Sequence, residues 1–393
     1  MRRRDDHGPD SRRGWLIAVV GSVAMVFTFG TPLSYGIFIS QFATAYDVSR
    51  TSLSVVFSLE LFAFFAVAGL IGIFGVRLPA RLLLIFFGLL TLFLSPLLYV
   101  VDSLLGLALV FSLLGTALGT VYVVIVSVVP RWFEQNRGAA TGVMFTGIGL
   151  SLFVMPTAWE LAFTRLGVQF GFFMLTGVSG GAVILAGLIC QRPPWVRKSS
   201  ATFGGLVRWM EDIASTRQFQ FLFVGIGMAF AWYYILGAYF IELLVTRGVT
   251  ETSAVFAFGL IGGVSIISRL AGGIVADQLG YRRTFLISIA SASLGSVLLF
   301  FPHVPAMIAA VFCLGVALGG VATLHVPILL ETYGSENDTA VIGVFNLSFG
   351  FFGLMAPPVA TALIVRTGTY QSAIWLTLAV TVLALWLTRA GTR

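Results

Sequence analysis

Apolar residues run along this chain in long, nearly unbroken stretches that end where charge, proline, glycine or asparagine cluster. Twelve such runs fall at about 15–41, 51–74, 82–101, 104–129, 138–157, 170–190, 219–245, 253–276, 284–302, 306–329, 339–364 and 371–388. A run of some twenty apolar residues is the length of a helix that crosses a bilayer. Within lipid every backbone N–H and C=O must be satisfied inside the segment, so each run is read as a helix. The pattern predicts an all-α membrane protein of twelve transmembrane helices. The longest polar stretch, 191–218, divides them into two six-helix bundles at 15–190 and 219–389, with short tails at 1–14 and 390–393. Residues 205–213 within that stretch have apolar positions at helical spacing and suit a linker helix lying on the membrane surface.

The two bundles are expected to be copies. Gly69 and Gly272 precede corresponding loops 203 residues apart, Pro156 and Pro357 are 201 apart, and Pro130 and Pro327 are 197 apart. Offsets this similar are the mark of an internal repeat, as in transporters whose two halves move about a central site. Orientation follows from the loops. Of the 23 Lys and Arg residues, 18 fall on the tails, the linker and alternate loops; Arg50, Arg165, Arg247 and Arg366 fall on the other side. By the positive-inside rule both termini are cytoplasmic, in a cell membrane. The remaining one, Arg269, lies inside a span.

Composition agrees: 58% of residues are hydrophobic, 10% are charged and the mean hydropathy is +0.99, whereas soluble domains carry about a quarter charged residues. The net charge of +7 is spread over loops rather than gathered on a solvated face, so no nucleic-acid partner is implied. Cys190 and Cys313 sit in apolar runs without Cys or His neighbours at ligand spacing, which supports neither a disulfide framework nor a metal site. The polar residues 1–13 lead into a run too long for a cleaved signal and read as a retained tail. No GxxxxGK[ST], HExxH or GxSxG pattern occurs, so neither an ATP-driven pump nor a hydrolase is indicated, no cofactor is expected and the chain is read as a non-enzyme.

Three segments carry a resemblance. Residues 271–283, with Gly272, Asp277, Gly280, Arg282 and Arg283, resemble the loop signature of the major facilitator superfamily, G-x-x-x-D-x-x-G-R-R, with Gly273, Asp277 and Gly280 in register and Tyr281 before the arginines; the first-half copy at 69–81 keeps Gly69, Arg77 and Arg81 but has lost the aspartate. Within the superfamily, Gly14-Trp15 followed by residues 30–38, and the loop Pro130-Arg131-Trp132-Phe133 leading into Arg137-Gly138 and Gly142, are similar to the monocarboxylate porters and their oxalate/formate antiporter-like relatives. The resemblance implies two pseudo-symmetric bundles, alternating access, a small carboxylate substrate, protons as co-substrate and a monomer as the working unit.

A charge at membrane depth costs about 2.5–3.5 kcal/mol on the lenient insertion scale, so Arg269 needs a reason. It lies eight residues before Asp277, about 12 Å from the helix end at 1.5 Å per residue. A planar fork suits a carboxylate, and the resemblance implies a substrate anchor at this position; the alternative is an ion pair with a glutamate from another span. The porters' span 1 lysine is replaced by Leu33 and their span 8 aspartate by Ser265, and span 11 has no lysine or arginine. One cationic site favours a monoanion over a dicarboxylate. The resemblance adds Tyr122, Asn346 and Tyr35 as neutral donors and Leu33 as an apolar wall, while His325 in span 10 can titrate or donate to an anion. For the proton, Glu60 lies nine residues into span 2, about 14 Å deep, with a plain interhelical hydrogen bond as its other reading, and Glu242 near the far end of span 7 is the second candidate, with an ordinary interface residue as its other reading. An organic-anion antiporter of the oxalate/formate type, or drug or amphipath efflux, is the alternative function.

Overall fold

The computed structural model describes residues 8–74, 78–195, 203–333 and 338–392. Fifteen α-helices occur among them: α1 Arg12–Gly30, α2 Tyr35–Tyr46, α3 Arg50–Phe74, α4 Ala80–Leu94, α5 Leu104–Val128, α6 Arg137–Leu166, α7 Val168–Ile189, α8 Phe203–Ala214, α9 Arg217–Gly237, α10 Phe240–Thr246, α11 Glu251–Leu279, α12 Tyr281–Leu298, α13 Val304–Tyr333, α14 Asp338–Thr367 and α15 Gln371–Gly391. Short 3₁₀ turns extend α4 over Ser95–Tyr99 and α5 over Val129–Trp132. No strand occurs among the described residues.

These helices make twelve spans because two predicted spans are broken. Span 1 is α1 plus α2, interrupted at Thr31, Pro32, Leu33 and Ser34; span 7 is α9 plus α10, interrupted at Ala238 and Tyr239. Pro32 lacks the N–H that would continue the ladder. Breaks of this kind are tolerated where the chain is shielded from lipid, and Leu33, Ser34 and Tyr239 are all buried. Among the described residues, eleven helices are long and apolar enough to cross a membrane unaided. α12 completes the set although it carries Ser288, Ser291, Ser293 and Ser296, since their hydroxyls donate to helix carbonyls, Ser288 to Thr284 and Ser291 to Cys313 across the α12–α13 contact. The sequence limits for this span, 284–302, sit a few residues past the observed ones.

The repeat is visible in backbone conformation. Positive φ occurs at Asp47 and Gly248, and at Gly167 and Gly368, each pair 201 residues apart and each in the loop after an equivalent span. The positive-φ turns were therefore copied with the helices. Two seams join the halves: α3 against α14, and α6 against α11. The first is antiparallel, running from a Thr361 to Ser54 hydroxyl hydrogen bond of 3.2 Å to Gly69, which packs on the carbonyl of Gly343.

Close approach also builds the first bundle. A side chain on Gly115 or Gly119 of α5 would strike the carbonyl oxygen of Glu60 or Phe64 on α3, and only glycine lets backbones meet there. Gly119→Val should cost about 3 kcal/mol, the upper part of the overpacking range because a helix backbone and not a side-chain tip must yield; a thermal melt in detergent checks this.

At the basic end, Asp10 binds the α5–α6 loop. Its carboxylate accepts from the backbone N–H groups of Glu134, Gln135 and Asn136 at 2.9–3.1 Å and from the Asn136 side-chain amide at 3.0 Å. Burial pushes this carboxyl up, but the donated hydrogen bonds outweigh it and hold it at about 2, so Asp10 remains ionised at neutral pH. Trp132, in the porter-like segment, donates to the Gln191 carbonyl at 2.7 Å and stacks edge-on with Trp195.

Candidate functional site

Helices from both bundles line a cavity between them. Its wall comprises Phe29 of α1, Leu33 of the span 1 break, Phe65 of α3, Tyr122 of α5, Phe145, Ile148 and Leu152 of α6, Phe230, Tyr233 and Tyr234 of α9, Arg269 of α11, Leu318, Ala322 and His325 of α13 and Phe349 of α14. Its volume is about 60 Å³. A single water needs about 10–15 Å³ and benzene fills a cavity of about 150 Å³, so this conformation has room for a few heavy atoms. Four sequence-predicted binding residues, Arg269, Tyr122, His325 and Leu33, meet here.

Among the described residues, Arg269 is the one permanent charge in this wall. It is 7% exposed, its Nε has no hydrogen-bond partner, and no carboxylate among the described residues pairs with it. The Tyr122 hydroxyl and the His325 ring lie within its electrostatic range. Tyr122 is fixed edge-on to Phe29 with centroids 5.2 Å apart and stacked on Phe64 at 5.7 Å. His325 stands edge-on between Phe230 and Phe349, both at 5.5 Å, with Nδ1 3.3 Å from the Val321 carbonyl. A carbonyl only accepts, so Nδ1 carries the proton in the neutral ring and Nε2 is left as an acceptor.

Tyr35 and Asn346 lie outside the cavity wall. Tyr35 packs its ring on Gly237 beside the span 7 break, and its hydroxyl is buried without a partner. Asn346 is buried on α14 with both amide atoms unpartnered, on the helix face that carries Gly343 and Gly350 toward α3.

The two proton candidates have opposite environments. Glu60 is fully buried with neither carboxyl oxygen hydrogen-bonded, and it is not part of the cavity wall. Glu242 instead forms an ion pair with Arg50 of α3 and accepts from the Tyr370 hydroxyl at 3.0 Å. With side chains 51% and 28% exposed, Arg50 and Glu242 form a rim contact that ties the two halves at the end opposite the basic loops. A half-exposed pair is worth up to about 1 kcal/mol. Arg50→Ala should leave the melting temperature nearly unchanged but shift the equilibrium toward opening at this end by up to about fivefold. The check is labelling of Ser34→Cys by an impermeant thiol reagent in a background without Cys190 and Cys313.

In the loop signature, Gly280 has φ +84° and makes the turn from α11 to α12, Gly272 approaches Gly320, and the Arg282 guanidinium donates to the Arg389 carbonyl at 3.3 Å. Arg283 is exposed. The side chain of Asp277 lies outside the described residues.

Sequence reasoning missed Tyr233, Tyr234 and the five cavity phenylalanines. The aromatic run Trp232-Tyr233-Tyr234 was a visible signal, but not which of its faces is enclosed.

The family model for the Major Facilitator Superfamily matches residues 16–305 and 222–392. Among curated proteins, the chain is 24% identical to monocarboxylate transporter 3 of Rattus norvegicus over 94% of this chain and 78% of that one. It is 28% identical to the MFS-type transporter pytF of Aspergillus terreus, over 70% and 94%, and 21% identical to the agnestins efflux protein AgnL12 of Paecilomyces divaricatus, over 90% and 82%. A crystal structure of a point mutant of the nucleoside transporter NupG superposes with a TM-score of 0.75 at 12% identity, over 97% of this chain and all of the other.

Proposed function

Because the chain belongs to the Major Facilitator Superfamily, we propose that this multi-pass membrane protein moves a small monocarboxylate by alternating access, in symport with a proton. The observation that carries this reading is Arg269, a fork-shaped cation without a carboxylate partner among the described residues, in a cavity otherwise built from rings and aliphatic side chains. A buried unpaired charge is costly, and an incoming carboxylate relieves that cost by pairing with the guanidinium. Neutral donors and an apolar wall then fix the rest of a small molecule. One cation matches one carboxylate, which disfavours a dianion such as oxalate, and the small volume agrees.

Charge balance supplies the argument for a proton. Arg269 and Glu60 are the basic and acidic residues buried most deeply among the described parts of the spans. In a one-to-one cycle the empty carrier returns as Arg269 cation and Glu60 anion, and the loaded one crosses as guanidinium, substrate carboxylate and protonated Glu60. Both are neutral, and they differ by one anion and one proton, which is a one-to-one symport. The arginine-rich loops make their end cytoplasmic, and the Arg50–Glu242–Tyr370 contact then closes the outer side.

The test is uptake of labelled lactate, pyruvate and formate into proteoliposomes with and without a pH gradient. Saturable uptake driven by an alkaline interior is expected. Efflux is the second reading, favoured by the ring-lined wall and by similarity to a protein named for agnestins efflux. Absence of all acid uptake, with raised tolerance to aromatic toxins on expression, would establish it instead.

A further inference from the structure

We infer that Asn346 biases the carrier toward opening at its cytoplasmic end, because its amide is left unsatisfied only while the seam between the bundles is closed. The inference concerns the opening step and holds for any substrate of the cavity.

Polar and apolar contacts alternate along the α3–α14 seam. Toward the outer end the Thr361 hydroxyl donates to Ser54 at 3.2 Å. Further in, Phe65 and Phe349, both in the cavity wall, meet edge-on at 5.6 Å. Beyond them Gly69 packs on the Gly343 carbonyl and the Leu347 side chain. The loop that follows α3 carries Arg77 and Arg81, so this end is the cytoplasmic one. Asn346 lies between the ring pair and the glycine contact. At 3.6 residues per turn, Gly343, Asn346, Gly350 and Gly353 fall on one stripe of α14 about 80° wide. The three glycines of that stripe meet Gly69, Phe65 and Leu61 of α3, so the asparagine between them is turned into the seam.

It is 1% exposed, and neither its oxygen nor its nitrogen has a hydrogen-bond partner among the described residues. A primary amide offers two donors and an acceptor, and buried groups of this kind are nearly always paired. The outer end pairs its polar groups, Thr361 with Ser54 and Glu242 with Arg50 and Tyr370. Those contacts are lost on outward opening. At the inner end the balance is reversed: when α3 and α14 part there, water reaches the amide and its desolvation is recovered. Asn346 thereby acts on the opening equilibrium from outside the cavity wall.

The test is the rate of thiol labelling of the full chain in detergent, in a background without Cys190 and Cys313. Ala68→Cys reports the inner seam, being 0% exposed on the face of α3 that carries Leu61, Phe65 and Gly69; Ser34→Cys, 2% exposed, reports the outer side. Asn346→Leu keeps the approximate shape and removes the amide. It is expected to slow labelling of the Ala68→Cys reporter by about fivefold to a hundredfold, to leave the Ser34→Cys reporter no slower and to raise the melting temperature. Asn346→Asp keeps a polar group in the seam and is expected to label at the inner reporter at least as fast as the wild type. An inner labelling rate unchanged in Asn346→Leu would overturn the inference. A lower melting temperature or failure to fold would also overturn it, since the amide would then hold a structural hydrogen bond, and so would equal slowing by Asp and Leu. No substrate is needed for these readings, so they stand apart from the outcome of the monocarboxylate uptake test.

Discussion

Arg269→Ala is expected to lower monocarboxylate uptake by about thirtyfold to a few thousandfold and, at the same time, to raise the melting temperature. The two signs together identify its role. Removing one member of a buried, hydrogen-bonded charge pair costs about 2–5 kcal/mol, and about 1.4 kcal/mol is tenfold, so loss of the guanidinium leaves a substrate carboxylate uncompensated in an apolar cavity. In the empty protein the same substitution removes a charge with no carboxylate partner among the described residues, and folding no longer bears its desolvation. Were Arg269 half of a structural ion pair, alanine would destabilise by about 3–5 kcal/mol and the melt would fall. Arg269→Lys keeps the charge and loses the fork; uptake between the two extremes is expected. Proteoliposome uptake and detergent melts on the same preparations check all three statements, and normal transport by the alanine variant would end the anchor assignment.

Glu60→Gln is expected to uncouple. The amide copies the shape of the protonated carboxyl and cannot release a proton, so accumulation of lactate driven by a pH gradient should fall at least tenfold. Exchange of labelled for unlabelled lactate at equal pH uses only the loaded, neutral form and should persist within a fewfold. The melting temperature should not fall, since Glu60 makes no hydrogen bond to lose and glutamine brings no charge to desolvate. Phe64, one turn further along α3, stacks on Tyr122 in the cavity wall, so the helix that carries the carboxyl also touches the binding site. Gradient-driven accumulation that survives in the glutamine variant would move the proton elsewhere, with His325 the next group to test.

The contrast between Glu60 and Glu242 shows where the sequence stops. Both are isolated carboxylates in apolar runs, and depth counted along a helix is the only distinction that spacing offers. Glu242 lies after a break that the hydropathy pattern does not register, on a seven-residue helix at the rim where Arg50 and Tyr370 reach it. Those partners are 192 and 128 residues away along the chain. Leu33 and Tyr35 divide for the same reason: the break at Thr31–Ser34 places one in the cavity wall and the other against Gly237.

The sequence by itself determined the solvent, the number of spans, the repeat and the identity of the one basic residue inside a span, because each follows from composition, run length or spacing within a single segment. The tertiary structure decided which residues share the cavity. A helix buried in lipid and protein is apolar on every face, since lipid tails are as apolar as leucine, and the amphipathic period that marks the inner face of a soluble helix is absent. Phe29, Phe65, Phe145, Phe230 and Phe349 are indistinguishable in sequence from the phenylalanines that face lipid, such as Phe86 and Phe93. Only the packing of α3 on α14 and α6 on α11 turns five of them, with Tyr233 and Arg269, toward one enclosed space.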